Sequence, residues 1–232
     1  MPAKAHTFRI STHKQAVRRQ LAALSKRRTI DAEDLHRLRI ALRRIQAWLE
    51  LVGDTGSAET LGEQMSALSP LRALHVLEQW LVRRRACASD LRKVRRSSRS
   101  IAKRLLANRT MTTIRQTLGA MDWAGGLGGD TASKTWRIHR KRLRHLLRLI
   151  REDPTRKRLH RLRLAIKTIR YQMEWLNLHG TRGRRTAEAL RSAQRCLGQY
   201  EDLASFRDLA KRLELRSRRR IRKHLRRARR EA

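Results

Sequence analysis

Residues Leu35–Val52 read LHRLRIALRRIQAWLELV, and residues Leu159–Leu176 read LHRLRLAIKTIRYQMEWL. The two align without a gap at an offset of 124 residues, and Leu35, His36, Arg37, Leu38, Arg39, Ala41, Ile45 and Glu50 each meet an identical residue. Eight identities in eighteen positions, five of them consecutive, exceed what shared composition produces and mark a duplicated unit. On a helical wheel at ~100° per residue, Leu35, Leu38, Leu42, Ile45 and Leu49 fall on one face. His36, Arg39 and Arg43 fall on the opposite face, with Arg37 and Arg44 beside them. The second copy repeats the pattern: Leu159, Leu162, Ile166, Ile169 and Met173 make the apolar stripe. His160, Arg163 and Lys167 make the basic one, with Arg170 at its edge.

Like charges spaced i, i+4 destabilise a helix by a few tenths of a kcal/mol each. A merely solvated face would intersperse Glu to relieve that repulsion, yet only Glu50 and Glu174 interrupt these rows, each near the far end. Glu174 sits four residues after Arg170 and is placed to pair with it. Unrelieved cationic rows make sense where an anion supplies the missing charge. The whole chain points the same way, with 58 Lys and Arg against 20 Asp and Glu and a formal net charge of +38. That imbalance implies a polyanionic partner, and the predominance of Arg suits phosphate, whose oxygens the planar guanidinium contacts in pairs. Apolar residues at 40% are enough for a packed core, so the charge does not imply disorder.

Outward from the repeat, apolar residues recur at helical spacing almost from end to end and strand signals are nearly absent. The spacing predicts helices near 12–28, 31–52, 57–69, 70–107 with one break, 109–121, 133–151, 155–178 and 183–231. Asp31 with Asp34, and Asp153 with Pro154, fit helix starts, while Gly53 and the Gly180–Gly183 stretch fit stops. Residues 119–133, GAMDWAGGLGGDTAS, hold five of the eleven glycines and only acidic charges. They read as a linker between two halves, and with no Lys in register and no preceding strand they do not make a phosphate-cradling loop. The expected organisation is a first helical bundle over 1–121, a Gly-rich linker over 122–133, a second bundle over 134–215 and a basic C-terminal helix or tail over 216–232. That last segment carries ten basic residues between Arg216 and Arg230. The N-terminus lacks the apolar run of a signal peptide, no stretch approaches the ~20 apolar residues that span a bilayer, and Cys87 and Cys196 lack metal spacing. A reducing, cytoplasmic setting is expected, without membrane or cofactor.

The motif His-x-x-Arg-hydrophobic-Ala-x-(Arg/Lys), at His36–Arg43 and again at His160–Lys167, resembles the CHAD domain, the conserved histidine α-helical domain. Ile169-Arg170-Tyr171 followed by Glu174 is similar to that family's second-repeat signature, and Leu197-Gly198-Gln199-Tyr200-Glu201-Asp202-Leu203 to a later helix start. The resemblance covers roughly residues 8 to 215. It implies an all-α fold of two pseudo-symmetric antiparallel helical bundles around a basic central cavity, binding inorganic polyphosphate and associated with polyphosphate granules. The chain departs from the family at Ala73, where an Asp is usual after Arg72, and at Thr168, which stands where the first copy has Arg44.

The expected ligand surface comprises His36, Arg37, Arg39, Arg43, Arg44, His160, Arg163, Lys167 and Arg170. Further basic stripes at Arg18, and at Arg137, Lys141 and Arg144, are expected to extend it. Nucleic acid is the alternative partner, since charge alone fits it equally. Against it stand an aromatic content of 4%, too low for stacking platforms, and the lack of a helix-turn-helix or zinc-finger context. No clustered carboxylates suited to a catalytic divalent metal are evident, so no enzymatic activity is expected.

Overall fold

Asp31 opens the first motif helix by accepting hydrogen bonds from the backbone amides of Glu33 (2.7 Å) and Asp34 (3.3 Å). Those bonds satisfy two of the four orphan donors of a helix start. The helix ends at Gly53, whose φ of +88° is the left-handed turn that a glycine adopts without strain. A computed structural model describes residues 3–27, 29–121, 129–178 and 181–231. Among these there are ten helices and no strand. They are α1 (Ala3–Ser25), α2 (Ala32–Val52), α3 (Thr55–Ala67), α4 (Ser69–Arg83), α5 (Ala88–Ala107), α6 (Thr110–Ala120), α7 (Gly129–Glu152), α8 (Arg156–Trp175), α9 (Thr181–Arg212) and α10 (Arg218–Glu231).

The two motif helices are α2 and α8, as the repeat requires. Elsewhere the boundaries move. Helix α1 begins well before residue 12. The break expected within 70–107 falls at residues 84–87. The long helix expected over 183–231 is two, interrupted where Glu214 turns through a φ of +49°. The cap of α8 is Thr155, which accepts from the Arg158 amide, so Pro154 precedes the helix instead of occupying its first turn. Of the Gly-rich segment, residues 122–128 lie outside the described residues and Gly129–Ser133 form the first turn of α7; His179 and Gly180, in the expected stop, also lie outside.

The apolar faces form three clusters. The first joins α1, α2, α3 and α6, and takes Tyr171 and Trp175 from α8. The third joins α7, α8 and α9. The second draws Leu74, Leu77 and Leu81 from α4 and Val94 from α5 together with Phe206 of α9 and Ile221 of α10. The sequence halves therefore interleave, with α2 packed on α8 in the middle and α4 on α9.

Polar side chains fasten the α2–α8 seam. Trp175 Nε1 donates to the Arg44 carbonyl at 2.8 Å. Glu174 accepts from Arg44 Nε at 3.1 Å and from Arg170 at 3.3 Å, while Tyr171 lies beneath both guanidinium groups. At the other edge, His139 of α7 sits 2.6 Å from the Gln172 amide, which also donates to Glu50 at 3.5 Å.

Helix α10 is held by a residue far away in sequence. Asp90, 1% exposed, accepts from the amides of Arg216 and Ser217 (both 2.9 Å) and from Ser217 Oγ (2.7 Å). Burial pushes its pKa up, but these hydrogen bonds outweigh it and hold the carboxyl below its ordinary value. A carboxyl with a depressed folded pKa stabilises the fold above the ordinary aspartate range and loses that effect as pH falls through the folded value. The tie is therefore fully present at neutral pH. Asp90→Ala leaves buried donors unpaired and is expected to cost about 2–3 kcal/mol. Urea unfolding should register the loss, and hydrogen exchange should show α10 opening first.

Candidate functional site

Arg39 and Arg43 lie one turn apart on α2, and Arg163 and Lys167 one turn apart on α8. Because α2 packs on α8, the two rows meet. Arg39 and Arg43 each feel the charge of Arg163, and Lys167 feels Arg39, Arg43 and Arg163 together. Arg72 of α4 adds a fifth cation, acting on Arg39 and on His36. Three carboxyls answer them: Asp202 of α9 faces Arg72, Arg163 and Lys167, Glu50 faces Arg43, and Glu33 acts on Arg72.

Arg39 and Arg43 are each held by a hydrogen bond. Arg39 donates to the Met65 carbonyl at 2.6 Å, near the C-terminal end of α3, where the helix dipole favours positive charge. Arg43 donates to Gln46 Oε1 at 2.9 Å, and Gln46 is itself fixed by donating to the Ala58 carbonyl at 3.2 Å. Arg163 lies over Gly198 of α9, whose missing Cβ would stand 3.8 Å from its Nε. That Nε is buried and makes no hydrogen bond.

The cluster is partly buried, and its pKa values shift accordingly. Burial, then repulsion from Arg43, Arg72 and Arg163, lowers Arg39 to about 10. Burial, then Arg163, Arg43 and Arg39, lowers Lys167 to about 7. Burial also lowers Arg43 and Arg72, each opposed by nearby acids. Conversely, burial raises Glu50 to about 7 and raises Asp202, in spite of the cations around them. Charged forms of both signs are thus disfavoured here, and the cationic excess is left without enough counter-charge.

The histidines differ despite their matched positions. His36 is half-buried among Arg72, Glu33, Lys167 and Arg39, and burial first, then Arg72, lowers its pKa. It is therefore neutral at pH 7 and able to donate one N–H to an anion. His160 instead lies 3.6 Å from Glu201, which also takes Arg156 at 3.4 Å. The remaining expected residues separate from this face. Arg37 is exposed and paired with Glu33 at 3.0 Å. Arg44 and Arg170 are committed to Glu174 in the seam. Arg18 lies over Gly119 of α6. Arg137, Lys141 and Arg144 are exposed on α7, the last two lining an open cavity of about 530 Å³ with Arg148 and Arg151.

Arg72 and Asp202 are site residues that the repeat did not disclose. Their one trace in the sequence is that both fall in motifs flagged by resemblance, Arg72 before the anomalous Ala73 and Asp202 at the end of the Leu197–Asp202 run. Among the described residues, no group of three or more His, Cys, Asp or Glu could hold a metal ion, and no helix is long and apolar enough to cross a membrane.

No curated protein sequence matches the chain. The crystal structure of the CHAD domain from the plant Ricinus communis matches it with a TM-score of 0.63 and 20% identity, over 97% of this chain and 84% of that one. At that identity the likeness is one of fold, an all-helical one. A CHAD domain family model matches residues 15–211, which include both motif helices and every cation of the central cluster. The chain belongs to the CHAD domain family.

Proposed function

We propose that this protein binds inorganic polyphosphate, without catalysis, on the face formed by Arg39, Arg43, Arg72, Arg163 and Lys167, with His36 at its edge. The observation that carries the reading is that five partly desolvated cations from three helices share too few carboxylates to neutralise them. A chain of phosphates supplies closely spaced charges, and charge-assisted hydrogen bonds to guanidinium are among the strongest available. The reading extends to a cytoplasmic protein able to reside on polyphosphate granules. Nucleic acid is the competitor that net charge alone would allow, and competition separates the two. At equal phosphate concentration, long-chain polyphosphate should displace duplex DNA; easy displacement of polyphosphate by DNA would reverse the assignment. Incubation of polyphosphate with Mg²⁺ or Mn²⁺ should release no phosphate.

Lys167 gives the reading a proton signature. Its pKa of about 7 is held down by burial and by cations that a bound anion would neutralise. The bound pKa is therefore higher, and binding above pH 7 takes up a proton at this amine. Affinity should fall with rising pH from about 7, by at most about tenfold per unit, because the complex holds more protons than the free protein. Calorimetry at pH 8 in two buffers of different ionisation enthalpy should show uptake approaching one proton, absent in Lys167→Met.

A further inference from the structure

The largest concentration of positive charge lies away from the central face. Helix α10 carries nine Arg or Lys in fourteen residues. It is an ordered element, because Ile221 and Ala228 pack into the second apolar cluster with Leu225 against them, and Asp90 ties down its start. Against it stands the turn after α4, which presents Arg83, Arg84 and Arg85 in succession. Between the two runs a groove of about 1210 Å³ lined by these three and by α10, with no acidic residue in its lining. The two walls are joined: Arg220 donates to the Arg84 carbonyl at 2.9 Å, and Trp80 carries Arg84 on its face (5.8 Å) and His224 at its edge (5.6 Å). Repulsive i, i+4 pairs such as Arg219–Lys223 and Arg222–Arg226 run along α10, with Arg227–Glu231 the favourable exception among its ion pairs.

This groove is not isolated. A cavity of about 700 Å³ between α4, α9 and α10 shares Arg83, Arg84, His224 and Arg227 with it, and at its other side reaches Asp202. Asp202 faces Arg72, Arg163 and Lys167 of the central cluster. The cavity, with Arg83, Arg84, His224 and Arg227 on one side and the acids Asp202 and Glu231 also in its lining, therefore connects the α10 groove with the neighbourhood of the α2–α8 face.

We propose that the α10 groove is a second polyanion subsite in line with the central one, so that a single long polyphosphate chain occupies both while a short one fills only the centre. The proposal rests on the central face being a polyphosphate site, and it makes the protein selective for chain length. The linked subsites act through effective concentration: once the centre holds a chain, its continuation meets α10 at high local concentration, and affinity rises without new contacts at the centre.

The test compares Arg219→Gln/Lys223→Gln/Arg226→Gln with wild type, using polyphosphate of about 100 units and tripolyphosphate, at several salt concentrations. By analogy with nucleic acids, removing three cations should flatten the log–log salt dependence by about 2 to 3 and weaken long-chain binding at least about tenfold at 0.15 M salt. Tripolyphosphate affinity should change less than about twofold, by the same reasoning that it does not reach α10. The charge-preserving Arg219→Lys/Arg226→Lys should retain long-chain affinity, and circular dichroism of each variant should match wild type. Unchanged long-chain affinity, or an equal loss for tripolyphosphate, would overturn the proposal. A larger loss for duplex DNA than for polyphosphate would also overturn it and make the groove a nucleic-acid surface. Failure of the underlying reading has a separate sign, namely tripolyphosphate affinity that survives Arg39→Ala/Arg163→Ala.

Discussion

Arg39→Ala/Arg163→Ala is expected to lower the affinity for long-chain polyphosphate by at least about 100-fold at moderate salt. Hydrogen bonds to charged groups contribute roughly 1.5–3 kcal/mol each, and 1.4 kcal/mol is a factor of ten, so two such contacts give about two to four decades. The fold should tolerate the change. Arg163 Nε has no hydrogen bond to lose, and although Arg39 gives up its bond to the Met65 carbonyl, repulsion with Arg43 and Arg72 disappears with it. Arg137→Ala/Arg144→Ala is the matched control, removing the same charge from the exposed face of α7. It should cost less than about threefold, the loss expected from the protein's overall field alone. An isotherm in which both double variants behave alike would mean that the net charge of +38 binds polyphosphate without a defined site.

The second large effect runs in the opposite direction. Lys167→Met should stabilise the ligand-free protein at pH 7 by about 2 kcal/mol, or raise Tm by about 4–8 °C, because it removes a half-buried cation without a full partner. The sign follows from proton linkage. In the unfolded chain Lys167 keeps a proton up to its ordinary 10.5, whereas in the fold it releases it near 7. The unfolded state binds more protons across that window, so the amine's penalty is full at and below about pH 7 and fades as pH rises towards 10.5. Wild type should therefore gain stability relative to Lys167→Met between pH 7 and 10, as measured by thermal unfolding of the two side by side. The same variant should show a smaller thermal shift with polyphosphate, since ligand stabilisation follows affinity. A site that lowers stability so as to hold an anion is a common bargain in binding proteins.

The contrast between residues on one helix explains how much the sequence could say. The repeat placed Arg39, Arg43 and Arg44 together on the polar side of the helix. What separates them is the neighbouring helix: Arg44 meets Glu174, whereas Arg39 and Arg43 meet Arg163 and Lys167. A helical wheel records direction but not what stands opposite. The i, i+4 pair of Arg170 and Glu174 is local and was legible for that reason. Arg72 and Asp202 come from α4 and α9, whose approach to the motif helices depends on the interleaving of the halves, and no periodicity encodes that. Similarly, the break between α9 and α10 occurs at Glu214, a residue with no intrinsic preference for the left-handed turn it adopts. Leu213 and Leu215 continue an apolar pattern straight through it. Tertiary packing and the Asp90 tie, contributed from more than a hundred residues away, set that boundary.

The seam between α2 and α8 also bears on how the protein behaves on dilution. The first repeat supplies three of the five central cations and the second supplies two, and each lends apolar faces that the other covers. As separate chains the repeats would be subunits of a dimer, and the anion site would vanish below their dissociation constant. Joined covalently, they meet at an effective concentration fixed by the connection instead of by the amount of protein. The site is then complete in every molecule, and scarcity of the protein lowers the number of sites without dismantling any.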